Sequence, residues 1–144
     1  MTGIQGIVRR ASPEDLDHVL QLDFIAPAGH ERAALLTSRV QSGEVIVFED
    51  DEPLGFAVVR KRSFFGRDFL ELLTVAERTR RQGVGSRLLN AAVAQSTTDR
   101  IFTSTNQSNT GMISLLEKTG WQLSGQLEGI DEGDPELIYF RDAT

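Results

Sequence analysis

Four arginines, Arg78, Arg80, Arg81 and Arg87, fall inside ten residues of a chain whose formal net charge is −6. Gly83-Val84-Gly85 stands among them. An apolar, strand-like run ends just before, at Val75, and a helical apolar pattern begins just after. A strand, a basic glycine turn and a helix start form a pocket for a polyanion, above all a pyrophosphate. Exposed main-chain N–H groups and the positive end of the helix dipole converge on the anion there. Gly83 and Gly85 lack Cβ atoms, so backbone can approach phosphate closely. The second reactive candidate is Glu71, four residues before Val75 and flanked by Leu70 and Leu72. A carboxylate standing out of an apolar setting suits a general base. Equally, Glu71 could lie on the wet face of a sheet, paired with Arg60 or Lys61.

The surrounding pattern predicts the elements that hold these groups. Ile4–Arg10 reads as a first strand. Ser12-Pro13-Glu14-Asp15 is a helix start: Ser12 caps, Pro13 suits the first helical position, and two carboxylates occupy the first turn. Leu16, Val19 and Leu20 follow helical spacing until Phe24–His30, where Pro27 and Gly29 break it. A second helix covers about Glu31–Gln41 and ends at Gly43. Three strands follow, Glu44–Glu49, Leu54–Arg60 and Asp68–Val75, joined by turns at Asp50–Pro53 and Ser63–Arg67; their short connections predict an antiparallel meander. Val84, Leu88, Leu89, Ala92 and Val93 give the helix after Gly83 its apolar face. A strand at Arg100–Thr105, a helix at Asn109–Thr119 closed by Gly120, and strands at Trp121–Leu127 and Glu136–Arg141 complete the chain. The expected fold is α/β: one domain over residues 1–144, with a mixed, mostly antiparallel central sheet and helices on both faces.

Bulk properties narrow the function. At 144 residues, 40% hydrophobic and 25% charged, the chain has enough material for an ordinary globular core. No apolar run reaches the roughly 20 residues a membrane helix needs, and MTGIQGIVRR has no apolar signal region. Cysteine is absent, so neither disulfides nor thiolate zinc ligation is available, and a cytoplasmic location is expected. The acidic balance argues against a nucleic-acid partner. His18 and His30 form no metal constellation with the carboxylates, and no metal is expected. Two nucleotide sites fail on residues: no P-loop lysine follows Gly85, and a dinucleotide fingerprint needs a small residue where Leu88 stands.

Arg80-Arg81-Gln82-Gly83-Val84-Gly85 fits Gln/Arg-x-x-Gly-x-Gly/Ala and resembles the acyl-CoA signature of the GNAT superfamily of N-acetyltransferases. Asn109, with Leu115–Trp121 after it, resembles the family's second motif, Asn-x-x-Ala-x-x-x-Tyr-x-x-x-Gly-Phe, and the element order agrees over nearly the whole chain. The resemblance implies acetyl-CoA as co-substrate and a primary amine of a small molecule or peptide as acceptor. It implies that main-chain N–H groups of Arg81, Gln82, Gly83, Val84, Gly85 and Ser86 hold the diphosphate, with Arg80 among the cofactor-binding residues. The pantetheine arm would lie like an added strand against backbone groups of Leu73 and Val75, with the Val75 N–H as oxyanion donor. Glu71 would be the base. Asn109 would contact the pantetheine, while its plain reading is a helix N-cap, and the two are compatible; Asn106 is an alternative contact. A homodimer is likewise implied only by resemblance.

The chain departs from the pattern at one place. The family's tyrosine position, seven residues after Asn109, is Leu116, which has no hydroxyl to protonate a leaving thiolate. Ser114 is offset by roughly 200° around the helix, and Tyr139, the only tyrosine, reads as strand packing. A non-catalytic acyl-CoA-binding regulatory module is therefore the first alternative. A toxin acting on aminoacyl-tRNA is a second, and it would need a basic face that this chain lacks. The acceptor side falls to Phe24–His30 and to Gly129–Glu136, whose Asp131, Glu132, Asp134 and Glu136 would attract a cationic amine or simply form a solvated hairpin turn. Trp121 reads as packing at the start of its strand.

Overall fold

The computed structural model describes residues 4–23 and 29–144. The elements run β1 (Ile7–Arg10), a 3-10 turn (Pro13–Asp15), α1 (Leu16–Leu22), α2 (His30–Gln41), β2 (Val45–Asp50), β3 (Glu52–Phe64) and β4 (Arg67–Val75). After a 3-10 turn at Glu77–Thr79 come α3 (Val84–Ala94), β5 (Arg100–Asn106), α4 (Thr110–Lys118), β6 (Gln122–Leu127) and β7 (Glu136–Asp142). The strands form one seven-stranded sheet in the order β1-β2-β3-β4-β5-β7-β6. The one pair registered as parallel is β4–β5; β1–β2, β2–β3, β5–β7 and β6–β7 are antiparallel. This is the mixed, mostly antiparallel α/β sheet expected from the sequence. The chain divides into two compact units, one drawn from Met1–Val59 and Leu72–Ala92, the other from Arg60–Glu71 and Val93–Thr144.

In the first unit, side-chain alternation along the strands decides which helix meets which face. Val45, Val47, Phe56 and Val58 pack with Val19, Leu36 and Val40 of α1 and α2. Each fully buried Val, Leu or Phe stabilises this core by roughly 1.5–3 kcal/mol. The opposite face of β3 carries Gly55. A Cβ there would stand 3.1 Å from Leu88 and Val84 of α3 and 3.0 Å from the Thr74 carbonyl. Helices therefore cover both faces of these strands, and Val45–Phe48 is continuously buried because neither face meets water. A half-buried polar cluster joins β1, the first helical segment and β2: Arg9 donates to the buried Asp15 at 2.8 and 2.9 Å and to Glu49. The Arg9 guanidinium holds the Asp15 carboxyl down at about 2 against the cost of burial.

Local signals set most ends. α2 closes with Gly43 at φ +76°, its N–H on the Val40 carbonyl and the Glu44 N–H on the Arg39 carbonyl, a Schellman closure. Asn109 caps α4 by accepting the Met112 N–H at 3.2 Å, and Gly120 follows that helix at φ +90°. Ser12 stands at the expected cap, in a capping box with Asp15, whose carboxylate accepts the Ser12 N–H at 2.7 Å. Two expectations need correction. The first strand begins at Ile7, not Ile4. The turn predicted at Asp50–Pro53 is tighter: Asp51 at φ +66° makes the reversal, and Pro53 is buried within β3 opposite Glu49.

In the second unit Leu70, Ile101, Leu116, Trp121 and Tyr139 are buried. Thr103 is buried too, and its hydroxyl donates to the Leu70 carbonyl at 2.8 Å. Asp68 is fully buried in this unit and accepts from the Thr97 N–H (2.8 Å), the Arg62 N–H (2.9 Å) and the Thr97 hydroxyl (3.0 Å). Burial pushes its carboxyl up, but these donors and the nearby Lys61 charge outweigh that and hold it below the usual range.

Candidate functional site

The site begins where β4 ends. The β4–β5 register stops at Leu70 opposite Thr103, five residues short of Val75. The Ala76 N–H donates to Leu54 of β3 at 2.7 Å, and the Thr74 carbonyl lies over Gly55 on that same strand. Successive peptide groups of an extended strand alternate between its two edges, so the Val75 N–H, in the same peptide as the Thr74 carbonyl, points away from β3. Leu73 shares that edge. Gly55 is what lets β4 and α3 come this close, and a lone glycine inside an apolar strand pattern is the signal that could have marked it.

The following segment is a tight connection. The buried Thr79 turns back on Ala76, both its N–H and its hydroxyl donating to that carbonyl at 2.9 Å. Arg81 at φ +66° and Gly83 at φ +88° then aim the chain into α3. Gly83 is surrounded by open space, with nothing within 4 Å of where a Cβ would stand. The first helical bond of α3 runs from Arg87 to the Gly83 carbonyl at 3.1 Å. Among the described residues, the main-chain N–H groups of Arg81, Gln82, Gly83, Val84, Gly85 and Ser86 have no acceptor. An ordinary helix start leaves four such donors; here the loop adds to them, and glycine at the cap position brings no side chain to use one.

The basic cluster divides. Arg78 pairs with Glu52 at 2.9 Å. Arg87 donates to the Gly6 carbonyl at 2.7 Å and lies over the Phe48 ring, 4.9 Å from its centroid. The Gln82 amide folds back onto the Arg78 carbonyl at 3.3 Å, leaving its main chain as the part that lines the turn. Arg80 and Arg81 are exposed at the loop itself.

The remaining sequence candidates resolve as follows. Glu71 is half-buried on the face of β4 opposite Leu70 and Leu72, and its Oε2 lies 3.8 Å from Arg60 Nη1. Leu116 is fully buried in the second unit's core, so the position where the family motif has tyrosine is here a packing position. Ser114 is exposed on α4. Tyr139 is buried as strand packing, and burial with the nearby Glu117 charge raises its phenol. Asn106 is taken by the acidic loop: its amide donates to Asp131 at 2.8 Å and to the Asp134 carbonyl at 3.3 Å. Asp134 in turn accepts from the Ser108 hydroxyl at 2.6 Å and the Ser108 N–H at 3.0 Å. Two of the four acidic side chains thus fasten the β6–β7 loop to the end of β5 and to the connection into α4, while Glu132 stays exposed. His18 and His30 are exposed, and Phe24–Ala28 lies outside the described residues. Among the described residues no His, Asp and Glu group suits a metal, and no helix is long and apolar enough to cross a membrane.

Residues 13–121 match the Acetyltransferase (GNAT) family. No curated protein sequence matches the chain. Among solved structures it is similar to a GNAT-family acetyltransferase of Bacillus cereus ATCC 10987, at 32% identity and TM-score 0.89, over 96% of this chain and 98% of that one. The fold is shared with Ard1 of Thermoplasma volcanium (21% identity, TM-score 0.81, 96% and 98% covered). It is shared also with yncA of Salmonella typhimurium, solved with its cofactor acetyl-CoA (17% identity, TM-score 0.76, 98% and 95% covered). A strand running into a donor-rich glycine turn, on this sheet and with these relatives, identifies the chain as a member of the GNAT acetyltransferase family.

Proposed function

We propose that this protein transfers the acetyl group of acetyl-CoA to a primary amine of a small molecule or peptide. The observation that carries the reading is the row of main-chain donors from Arg81 to Ser86, open at Gly83 and without acceptors among the described residues. Such a row, at the positive end of α3, suits a diphosphate. Arg80 and Arg81 add charge at its mouth. The free edge of β4 at Leu73 and Val75 offers main-chain groups to the amides of a pantetheine arm, in the manner of an added strand. Asn109 would contribute its side-chain NH2, since its oxygen is committed to the cap.

Acetyl-CoA supplies an activated acyl group as a thioester; this chain's residues supply the rest. The Val75 N–H donates to the carbonyl oxygen as negative charge builds there. Glu71, whose Oε2 lies 3.8 Å from Arg60 Nη1, takes the proton of the incoming ammonium, directly or through water. The departing thiolate is stable enough to be protonated by solvent. Exposed carboxylates such as Glu132 bias the surroundings toward a cationic acceptor. The site would work in the cytoplasm, where acetyl-CoA is at hand, in a monomer or a homodimer.

Calorimetry with coenzyme A and acetyl-CoA, followed by coenzyme release over a panel of amines, tests this. Binding with turnover on at least one amine is expected. Absence of binding to the folded protein overturns the reading. Leu116, buried rather than offering a hydroxyl, favours one second reading: an acyl-CoA-binding regulatory module without catalysis. Tight binding without turnover on any amine would select it.

A further inference from the structure

Residues Ile4–Gly6, ahead of β1, are held against the start of α3 at several points. The Ile4 N–H donates to the Gln82 carbonyl at 3.2 Å. The Gly6 carbonyl accepts from Arg87 at 2.7 Å. Gly6 itself fits because it has no side chain: a Cβ would stand 2.5 Å from the Glu49 carbonyl oxygen and 2.7 Å from the Phe48 ring.

One peptide plane carries the consequence. In a trans peptide the C=O and the following N–H point in opposite directions, and no cis peptide is present among the described residues. With the Gln82 carbonyl turned toward Ile4, the Gly83 N–H is turned away, outward from the N-terminal segment. Without that restraint the Gln82–Gly83 peptide could flip. Glycine accepts either sign of φ, so Gly83 would not resist. A flipped peptide would present a carbonyl oxygen where the anion needs a donor.

We infer that the N-terminal segment is a positioning element for diphosphate binding: the Ile4 N–H locks the Gln82–Gly83 peptide with its donor facing the ligand. Arg87 serves as tether for that segment rather than as a phosphate ligand. The inference rests on the reading of Arg81–Ser86 as the anion site.

The test uses the full chain, I4A, I4P and a chain lacking residues 1–4. I4A keeps the N–H; I4P removes it; the deletion removes it by a second route. Coenzyme A affinity is measured by calorimetry, and affinity for pantetheine, which carries no phosphate, by ligand-observed NMR. Melting curves establish that each variant is folded. The full chain and I4A should bind coenzyme A within about twofold of each other, and the other two roughly fivefold more weakly, the scale of one hydrogen bond. Pantetheine affinity should be equal in all four. Folded I4P and deletion proteins that bind coenzyme A like the full chain overturn the inference, as does a parallel loss of pantetheine affinity. Failure of the full chain itself to bind coenzyme A overturns the site reading instead.

Discussion

The two ends of α3 treat their polar groups in opposite ways. At its start, the main-chain donors of Arg81–Ser86 have no acceptor within the described protein. Beyond its end, the Thr97 N–H and hydroxyl converge on Asp68, the Ser96 hydroxyl donates to the Thr98 carbonyl at 3.1 Å, and the Thr98 hydroxyl to the Arg100 carbonyl at 2.6 Å. Both stretches are short, polar connections that composition alone would not separate. The difference teaches how to tell a ligand site from a structural joint. A joint satisfies its donors and acceptors internally, because a buried group left unpaired costs about 1–3 kcal/mol. A site keeps its donors aligned, half-exposed and in contact with water that a ligand can displace.

The comparison can be broken most severely at Gly83. Gly83→Val places a branched side chain at φ +88°, where such residues are strained, and fills the open space. Coenzyme A binding should disappear in calorimetry; unchanged affinity in a folded variant would sink the assignment. Glu71→Gln probes a carboxylate that, unlike the fully buried Asp68, is half-exposed. Turnover should fall about a hundredfold, the lower range for a lost general base, with coenzyme A affinity retained. A normal rate across pH would leave Glu71 a partner of Arg60 and nothing more.

The joint is tested from the other side. Asp68→Ala orphans several buried donors, so urea unfolding should show a loss of about 2–4 kcal/mol, while coenzyme A affinity per folded molecule stays put. Loss of affinity with intact stability would invert the roles of the two ends. The smallest expected effect is on pH. The Asp15 carboxyl is held at about 2 in the folded chain, below its ordinary value of 3.8. A depressed carboxyl stabilises the fold above its unfolded pKa, and that contribution disappears as pH falls through the folded one. The Arg9–Asp15 pair should thus supply ~2 kcal/mol at neutral pH, lost as pH drops from about 4 toward 2. Asp15→Asn should flatten that part of the stability profile in acid titration; an unchanged slope would remove the pair from the account.

Much of the fold could be read directly, for a physical reason. Gly43, Asn109 and Gly120 act within a few residues of where they stand, so their capping roles are visible in the chain order. The strand-turn-helix at Gly83 is equally local. The misreadings were local patterns overridden by distant partners. Asp50–Pro53 looks like a full turn until cross-strand pairing draws Pro53 opposite Glu49. Asn106 looks available until the β6–β7 loop claims its amide.

Periodicity, capping residues and the glycine spacing therefore determined by themselves the order of elements, the family likeness and the position of the glycine turn proposed as the polyanion site. Tertiary structure alone decided which donors at that place remain unused. It brought Leu54 and Gly55 beneath β4 so that the Val75 N–H faces outward, set Glu71 beside Arg60, and laid Ile4 against Gln82. The reason is that a backbone group's availability depends on partners far away in the chain, and only the packed sheet and helices bring those partners within hydrogen-bond reach.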